Sequence, residues 1–288
     1  MTPLISIVIP TFRRPEDLAA LLAVLAPDLP GDVELLVVDN SPEAGARQVV
    51  EAQARALYLH EPQPGVARAR NAGVAAARGG HVLFIDDDER PGPGWLAAWR
   101  RLAEAGVAAA FGPVRPVFAV PPPPGLEAAF TAMFSRDLGL EEGADVTGQR
   151  AWLGTGNALF DRARCFGRGA PFDLRFDAGG EDVWFLRHLA EDLGLGLTWA
   201  AGAEVFEHVP ASRLTEDYLC RRRFHGGQLR SLVEAGGGHW LRVGFWMAAG
   251  AVQALGFGLA AQLPLAARGA LRAKAWGGLG KLLWWRRR

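Results

Sequence analysis

The 288-residue chain has only two cysteines, no net charge and no basic stretch at its start. The two thiols, Cys165 and Cys220, lie far apart, with neither a Cys-X-X-Cys spacing nor an adjacent histidine, which excludes a disulfide framework and a zinc ribbon. They read as ordinary buried or half-buried side chains. Met1-Thr2-Pro3 offers no charged n-region, and the apolar run to Pro10 is too short for a signal peptide. A reducing, cytoplasmic compartment is therefore expected. There is no internal repeat at solenoid periods. No Gly-X-Gly-X-X-Gly follows the first apolar run, which disfavours a nicotinamide oxidoreductase. What the chain does have is apolar residues: half of the total, enough for a sizeable core and too many for a disordered chain.

The zero net charge conceals an asymmetry. Residues 1–212 carry 18 Lys+Arg against 28 Asp+Glu, whereas residues 213–288 carry 13 against 3. Nucleic-acid binders are more often basic throughout, so no nucleic-acid partner is expected. An acidic body with a basic, apolar tail points to docking on an anionic membrane face. The other reading is that tail and body pair within one fold.

Over the first 110 residues two periods alternate. Leu4–Ile9, Val33–Val38, Leu57–Leu59, Val82–Ile85 and Val107–Phe111 predict short buried strands. Helices are expected between them at Pro15–Leu25, Ala44–Arg55, Val66–Ala77 and Trp95–Ala105. Continuous apolar strands alternating with helices predict an α/β fold with a parallel sheet, whose ligands meet the carboxyl ends of the strands. The polar residues lie at those ends: Pro10-Thr11, Asp39-Asn40 and Asp86-Asp87-Asp88. Beyond residue 112 the rhythm breaks at the polyproline stretch Pro121–Pro124. Further strands are expected at Trp152–Phe160 and Glu204–His208, with a helix at Glu181–Leu193 between them, and the chain from about Leu214 reads as helical to its end.

Asp86-Asp87-Asp88-Glu89 closes an apolar strand. Adjacent carboxylates repel one another, and a folded chain concentrates them where a cation offsets the charge. Asp86 and Asp88, as alternate residues on a loop, are placed to flank one hard divalent ion with positions left open for phosphate oxygens, as Mg²⁺ or Mn²⁺ prefers. A solvated acidic turn is the plainer reading.

Four blocks occur in order: Ser6-Ile7-Val8-Ile9-Pro10-Thr11-Phe12-Arg13-Arg14, Val37-Val38-Asp39-Asn40-Ser41, Gly65–Gly73 and Phe84–Glu89. The set resembles the family 2 glycosyltransferases, nucleotide-sugar enzymes of the GT-A fold. Gly112-Pro113-Val114, Leu153–Asn157 and Gly180-Glu181-Asp182 are similar to the later blocks of its succinoglycan-type, exopolysaccharide branch. The resemblance covers roughly residues 4–230. It implies a GT-A domain over 1–212, Rossmann-like, with a mostly parallel central sheet flanked by helices. Residues 213–288 are then a helical extension for acceptor or membrane contact.

The resemblance also implies roles. Pro10, Thr11, Phe12 and Arg14 belong to the donor site with Asp39, which can accept a hydrogen bond from a uracil N–H; a helix cap is the other reading for Asp39. Arg70 falls beside the base and phosphates, Asp87 at the ribose, and Asp88 at the metal with Asp86. The Glu-Asp block makes Asp182 the base that removes the acceptor hydroxyl proton, as inverting transfer requires, although acids are favoured at any helix N-terminus. Gly154, Thr155, Gly156, Asn157, Trp152, Glu181 and Trp184 are then acceptor-side candidates, with core packing equally open to the two tryptophans. His208 is a candidate third metal ligand, with Glu207 its rival and a structural histidine the plainer alternative.

The expected donor is a UDP-sugar with Mn²⁺ or Mg²⁺, and the expected acceptor a polyprenyl-diphosphate-linked saccharide at the cytoplasmic face of the inner membrane. The processive synthases of this fold carry a Gln-X-X-Arg-Trp block, which Arg222–Arg230 lacks, so addition of a single sugar is expected. A non-catalytic sugar-nucleotide-binding scaffold is the alternative, and the intact acidic triplet with Glu181-Asp182 argues against it. In the tail, Val243–Ala267 is uncharged and long enough to span a bilayer, and Arg268–Arg288 interleaves cations with tryptophans, as helices lying in or shallowly entering the inner leaflet do; a true span and a soluble helical subdomain are the other readings.

Overall fold

The apolar runs near the N-terminus become the middle of a seven-stranded sheet. The computed structural model describes residues 4–27, 29–167, 169–177, 179–263 and 267–286. In chain order the elements begin β1 (Ile5–Thr11), α1 (Pro15–Leu25), β2 (Val33–Asp39), α2 (Arg47–Glu51), β3 (Ala56–His60), α3 (Val66–Ala76) and β4 (His81–Phe84). They continue with β5 (Glu89–Pro91), α4 (Trp95–Glu104), β6 (Ala109–Phe111), β7 (Val114–Phe118), α5 (Glu127–Phe134), β8 (Ala158–Asp161), α6 (Arg162–Cys165) and α7 (Glu181–Arg187). The last are β9 (Leu197–Trp199), β10 (Val205–Val209), α8 (Glu216–Gly236), α9 (Trp240–Ala260) and α10 (Arg268–Leu282).

The large sheet runs β3-β2-β1-β4-β8-β6-β9. Strands β1 to β4 are mutually parallel, and β8 inserts antiparallel between β4 and β6. Alternate residues of β1 divide between two cores. Ile5, Ile7 and Ile9 pack with the apolar faces of α1 and α4, while Val8 joins Phe84 and Ala67 of α3 on the other face. Burial on both faces is why these strands read as unbroken apolar runs. A second sheet, β5-β10-β7, sets Glu89 opposite Glu207.

Two compact units result, 1–115 with 136–207, and 116–135 with 208–288. The boundary after residue 212 is thus redrawn. Residues 116–135 belong with the C-terminal helices, because Leu126, Phe130 and Phe134 of α5 complete a core with Val209, Leu214, Leu219 and Ala273. In that second unit the helices approach backbone to backbone. A Cβ on Gly227 of α8 would lie 2.2 Å from the carbonyl oxygen of Gly277, and one on Gly250 of α9 would lie 2.7 Å from that of Gly278.

Other expectations changed in local ways. The helix expected from Ala44 shrinks to α2, because Ser41–Ala46 is spent on a turn closed by Asp39. The strand expected over Trp152–Phe160 becomes a 3-10 turn at Thr147–Trp152, a loop, and then β8. The helix expected to Leu193 stays α-helical only to Arg187 and widens to a π turn over His188–Asp192.

Candidate active site

The parallel strands deliver their carboxyl ends to one rim, and the acidic turn after β4 is tied there to the end of β1. Thr11 Oγ1 donates to Asp87 Oδ2 at 2.7 Å, and Arg14 Nη1 donates to Asp87 Oδ1 at 2.9 Å and to Asp88 Oδ2 at 2.8 Å. Asp87 is therefore turned inward, its side chain only 6% exposed, which corrects the expectation that it faces a ribose. The open carboxylate of the triplet is Asp86, with 40% of its side chain exposed. Glu89 Oε2 braces the turn by accepting the Asp86 backbone N–H at 2.9 Å.

Arg70 enters the same place from α3. That helix starts at Gly65, with φ +153°, where a Cβ would strike the Asp177 carboxylate; Asp177 in turn accepts the N–H groups of Ala67 and Arg68. The Arg70 guanidinium is buried, hydrogen-bonded to Glu181 Oε1 and 3.7 Å from Asp86 Oδ1. Glu181 and Asp182 open α7. Asp182 Oδ1 accepts the Val183 N–H at 2.7 Å, while its Oδ2 faces Gly154, where a Cβ would come within 3.4 Å. Two residues on, a Cβ at Gly156 would lie 2.6 Å from Asp86 Oδ2. Only glycine lets the loop pass so close to Asp86 at Gly156, whereas at Gly154 the tight neighbour is Arg136 Nη1, 2.5 Å from a Cβ.

Arg136, which the sequence reading did not single out, lies against the loop, donating from Nη2 to the Gly156 carbonyl. Its backbone is held by a bridge to Val114. A lone arginine after a proline-rich stretch carries no local signature, and only the tertiary fold brings it here. Four buried polar atoms at this place have no partner among the described residues: Arg70 Nε, Glu181 Oε2, Thr155 Oγ1 and Arg136 Nε. Orphaned donors and acceptors of this kind mark a ligand site more often than a finished core.

Other candidates fall elsewhere. Asn157, expected on the acceptor side, is fully buried with φ +51°; it donates to the carbonyls of Pro113 and Ala203 and accepts from Trp95 Nε1. It is a bracket beneath the loop. Asp39 accepts from Ser41 N, Ser41 Oγ, Ala46 N and the Tyr58 hydroxyl, so its lone pairs are engaged in folding the turn rather than offered to a base. Trp184 stacks on Phe176 and under Arg175, whereas Trp152 is 73% exposed. Phe12 stands exposed at the end of β1 next to half-buried Pro10. His208 is exposed. Among the described residues no three His, Cys, Asp or Glu side chains gather as metal ligands.

Crowding of carboxylates shows in their acidities. Burial outweighs Arg14 and pushes Asp87 up to about 6, with Asp88 adding to the rise. Burial likewise outweighs Arg70 and, with the charge of Asp182, pushes Glu181 up to about 7. Glu89 is held well above the usual range by burial and by Asp86. Both Asp87 and Glu181 therefore bind protons more tightly folded than unfolded. Their contribution to stability is full below the ordinary carboxylate range and is lost as pH rises through about 6 and about 7. At about 1.4 kcal/mol per pKa unit, the ligand-free protein is expected to melt several degrees lower at pH 8 than at pH 5. Thermal unfolding across that range checks this, with Asp87→Asn flattening the slope; a melting temperature that rises with pH would contradict it.

A family model described as "Glycosyl transferase family 2" matches residues 6–150. The chain belongs to the family 2 glycosyltransferases, and its mixed sheet with flanking helices is the GT-A fold. Within that family it is of the exopolysaccharide type. It is 32% identical over 243 residues to the succinoglycan biosynthesis protein ExoM of Rhizobium meliloti (strain 1021), a match covering 81% of this chain and 75% of that protein. Among solved structures it is similar to the mannosyltransferase PcManGT from Pyrobaculum calidifontis, in complex with GDP-Man and Mn²⁺. That match has a TM-score of 0.64 at 19% identity, covering 100% of this chain and 89% of the other. It also resembles S. aureus TarS 1–349 in complex with UDP, with a TM-score of 0.54 at 16% identity, covering 96% and 90%. Of a longer TarS structure it spans 42%.

Proposed function

We propose that this glycosyltransferase works with inversion and a divalent metal, moving one hexose, with glucose the first candidate, from a UDP-sugar to a polyprenyl-diphosphate-linked saccharide. We place the reaction at the cytoplasmic face of the inner membrane. The observation that carries the reading is that Asp182 and Asp86 flank one glycine loop at positions two residues apart. A base and a donor-side acid brought to one glycine loop suit displacement at an anomeric carbon.

Asp182 is assigned as the base. Its Oδ1 is fixed by the N-terminus of α7, leaving Oδ2 to take the acceptor hydroxyl proton. Glu181 and Arg70 hold the start of α7 against the acidic turn. Thr155 and Arg136 line the loop with unused hydrogen-bonding capacity. The donor atoms fit a hard cation. Asp86 and Asp88 are two carboxylates, Asp86 raised by burial first and by the charge of Asp88 in addition, and Mg²⁺ and Mn²⁺ complete such a pair with substrate phosphates rather than a third side chain. Bound there, the ion would supply positive charge at the leaving diphosphate.

UDP-sugars with Mn²⁺ are expected to raise the unfolding temperature more than GDP- or dTDP-sugars, and EDTA is expected to remove the gain. A ligand at a hundred times its Kd adds about 2.7 kcal/mol, readily seen by thermal shift. A chain that none of the three sugar nucleotides protects, with or without metal, would overturn the reading.

A further inference from the structure

Helices α8, α9 and α10 carry an exposed apolar surface. Leu241, Phe245, Ala248, Val252, Leu255 and Leu259 recur along α9 at spacings of four and three, and all are exposed, Leu241 at 93% and Val252 at 74%. This is one uncharged stripe on one side of the helix. Length and composition would allow α9 to cross a bilayer.

What packs behind it argues against a crossing. Residues 246, 250, 253 and 257 form the opposite side of α9. A Cβ on Gly250, at the midpoint of the helix, would lie 2.8 Å from Lys281 Cβ of α10. Lys281 Nζ donates to Gln253 Oε1 at 2.6 Å, and Lys274 Nζ lies 5.2 Å from the Phe257 ring centroid. A crossing α9, about 30 Å long, would carry Lys281, packed at its midpoint, to the middle of the hydrocarbon. Lying flat, the helix buries its stripe while the cations, about one helix diameter above it, stand level with headgroup phosphates.

Two cations converge there. The Arg230 guanidinium lies 4.9 Å and Lys281 Nζ 5.5 Å from the centroid of the Trp246 ring, which touches Phe245 of the stripe. Burial and the charge of Arg230 lower the Lys281 pKa. We infer that α9 docks flat on an anionic bilayer, with Arg230 and Lys281 at Trp246 holding the phosphate of an acidic phospholipid. The inference rests on the membrane placement proposed above and adds the surface, the orientation and the lipid class.

The full chain should float with vesicles of phosphatidylcholine and phosphatidylglycerol and at least tenfold less with phosphatidylcholine alone. Arg230→Gln with Lys281→Gln should weaken binding by about tenfold or more, at about 1 kcal/mol per cation, and Arg230→Lys with Lys281→Arg should restore it. Val252→Asp with Leu255→Asp should abolish it. Protection by sugar nucleotides should persist in every variant, so a failure here is distinguishable from failure of the enzymatic reading. In cells, His239→Cys and Gln262→Cys, at the two ends of α9, should both escape an impermeant maleimide until lysis. Labelling of one end alone in intact cells would mean a crossing helix and overturn the inference, as would equal binding to neutral vesicles. Inorganic phosphate that raises the unfolding temperature of the wild type, but not of the double glutamine variant, would give the seat to a soluble anion and overturn the lipid assignment.

Discussion

Asp182→Asn is expected to lower kcat for sugar transfer by about a thousandfold, within the range that a positioned general base supplies, while donor affinity stays within a few-fold. The substitution is nearly isosteric. An asparagine oxygen still accepts the Val183 N–H that fixes Oδ1, so the start of α7 and the neighbouring Arg70–Glu181 pair keep their geometry. What is lost is the capacity of Oδ2, facing Gly154, to take a proton. Steady-state transfer, together with thermal protection by the donor, separates the two effects.

Glu181 is the rival. At about 7 its carboxyl has an acidity well suited to a base. Geometry decides against it, since Oε1 is occupied by Arg70 and the side chain is only 5% exposed. Glu181→Gln should therefore weaken the fold more than the chemistry. A variant pair in which Glu181→Gln abolishes transfer and Asp182→Asn leaves it within tenfold would exchange the two assignments.

The parallel half of the sheet is legible in the sequence because its strands are buried on both faces and long enough to show it. β1, β2 and β4 read as apolar runs, and the polar residues at their ends mark the rim. The other half is legible only at β6, which falls within the run Val107–Phe111. β9 has three residues, too few for a period, and nothing in the four residues of β8 states its antiparallel direction. At the site, residue types were readable and their directions were not. Asp39 and Asp87 are acids at strand ends, as a nucleotide site requires, yet hydroxyls and amides nearby turn both inward. Which of three adjacent aspartates faces the cleft depends on Thr11 and Arg14, more than 70 residues away in the chain. Segment 116–135 illustrates the same limit for domains: the apolar side of α5 is visible, but its partners, Val209, Leu214, Leu219 and Ala273, all come from far later in the chain.

Arg70→Met should produce the largest loss of stability of any substitution at the site. The guanidinium is 8% exposed and is the cation held against Glu181 and Asp86; though burial works against its charge, Glu181, Asp86 and Asp182 keep it protonated. Removing one member of a buried ion pair leaves the other charge uncompensated, at a cost of about 3–5 kcal/mol. For a chain of this size that is roughly a 5–8 °C fall in Tm. Replacing both members, as Arg70→Met with Glu181→Leu, removes the stranded carboxylate and should recover most of the loss, because apolar residues of similar volume commonly match a buried pair. The pH dependence has a definite sign. Without Arg70 the Glu181 carboxyl, already pushed up to about 7, loses its main acidifying neighbour and rises further. At pH 5 it is protonated and neutral, and the cost of Arg70→Met is smallest; as pH rises through 7 and beyond, the stranded charge forms and the cost grows. Unfolding of the single and double variants between pH 5 and pH 8 tests this. A double variant as unstable as Arg70→Met, or a destabilisation indifferent to pH, would mean that the two side chains are packing elements and not a charge pair spanning α3 and α7.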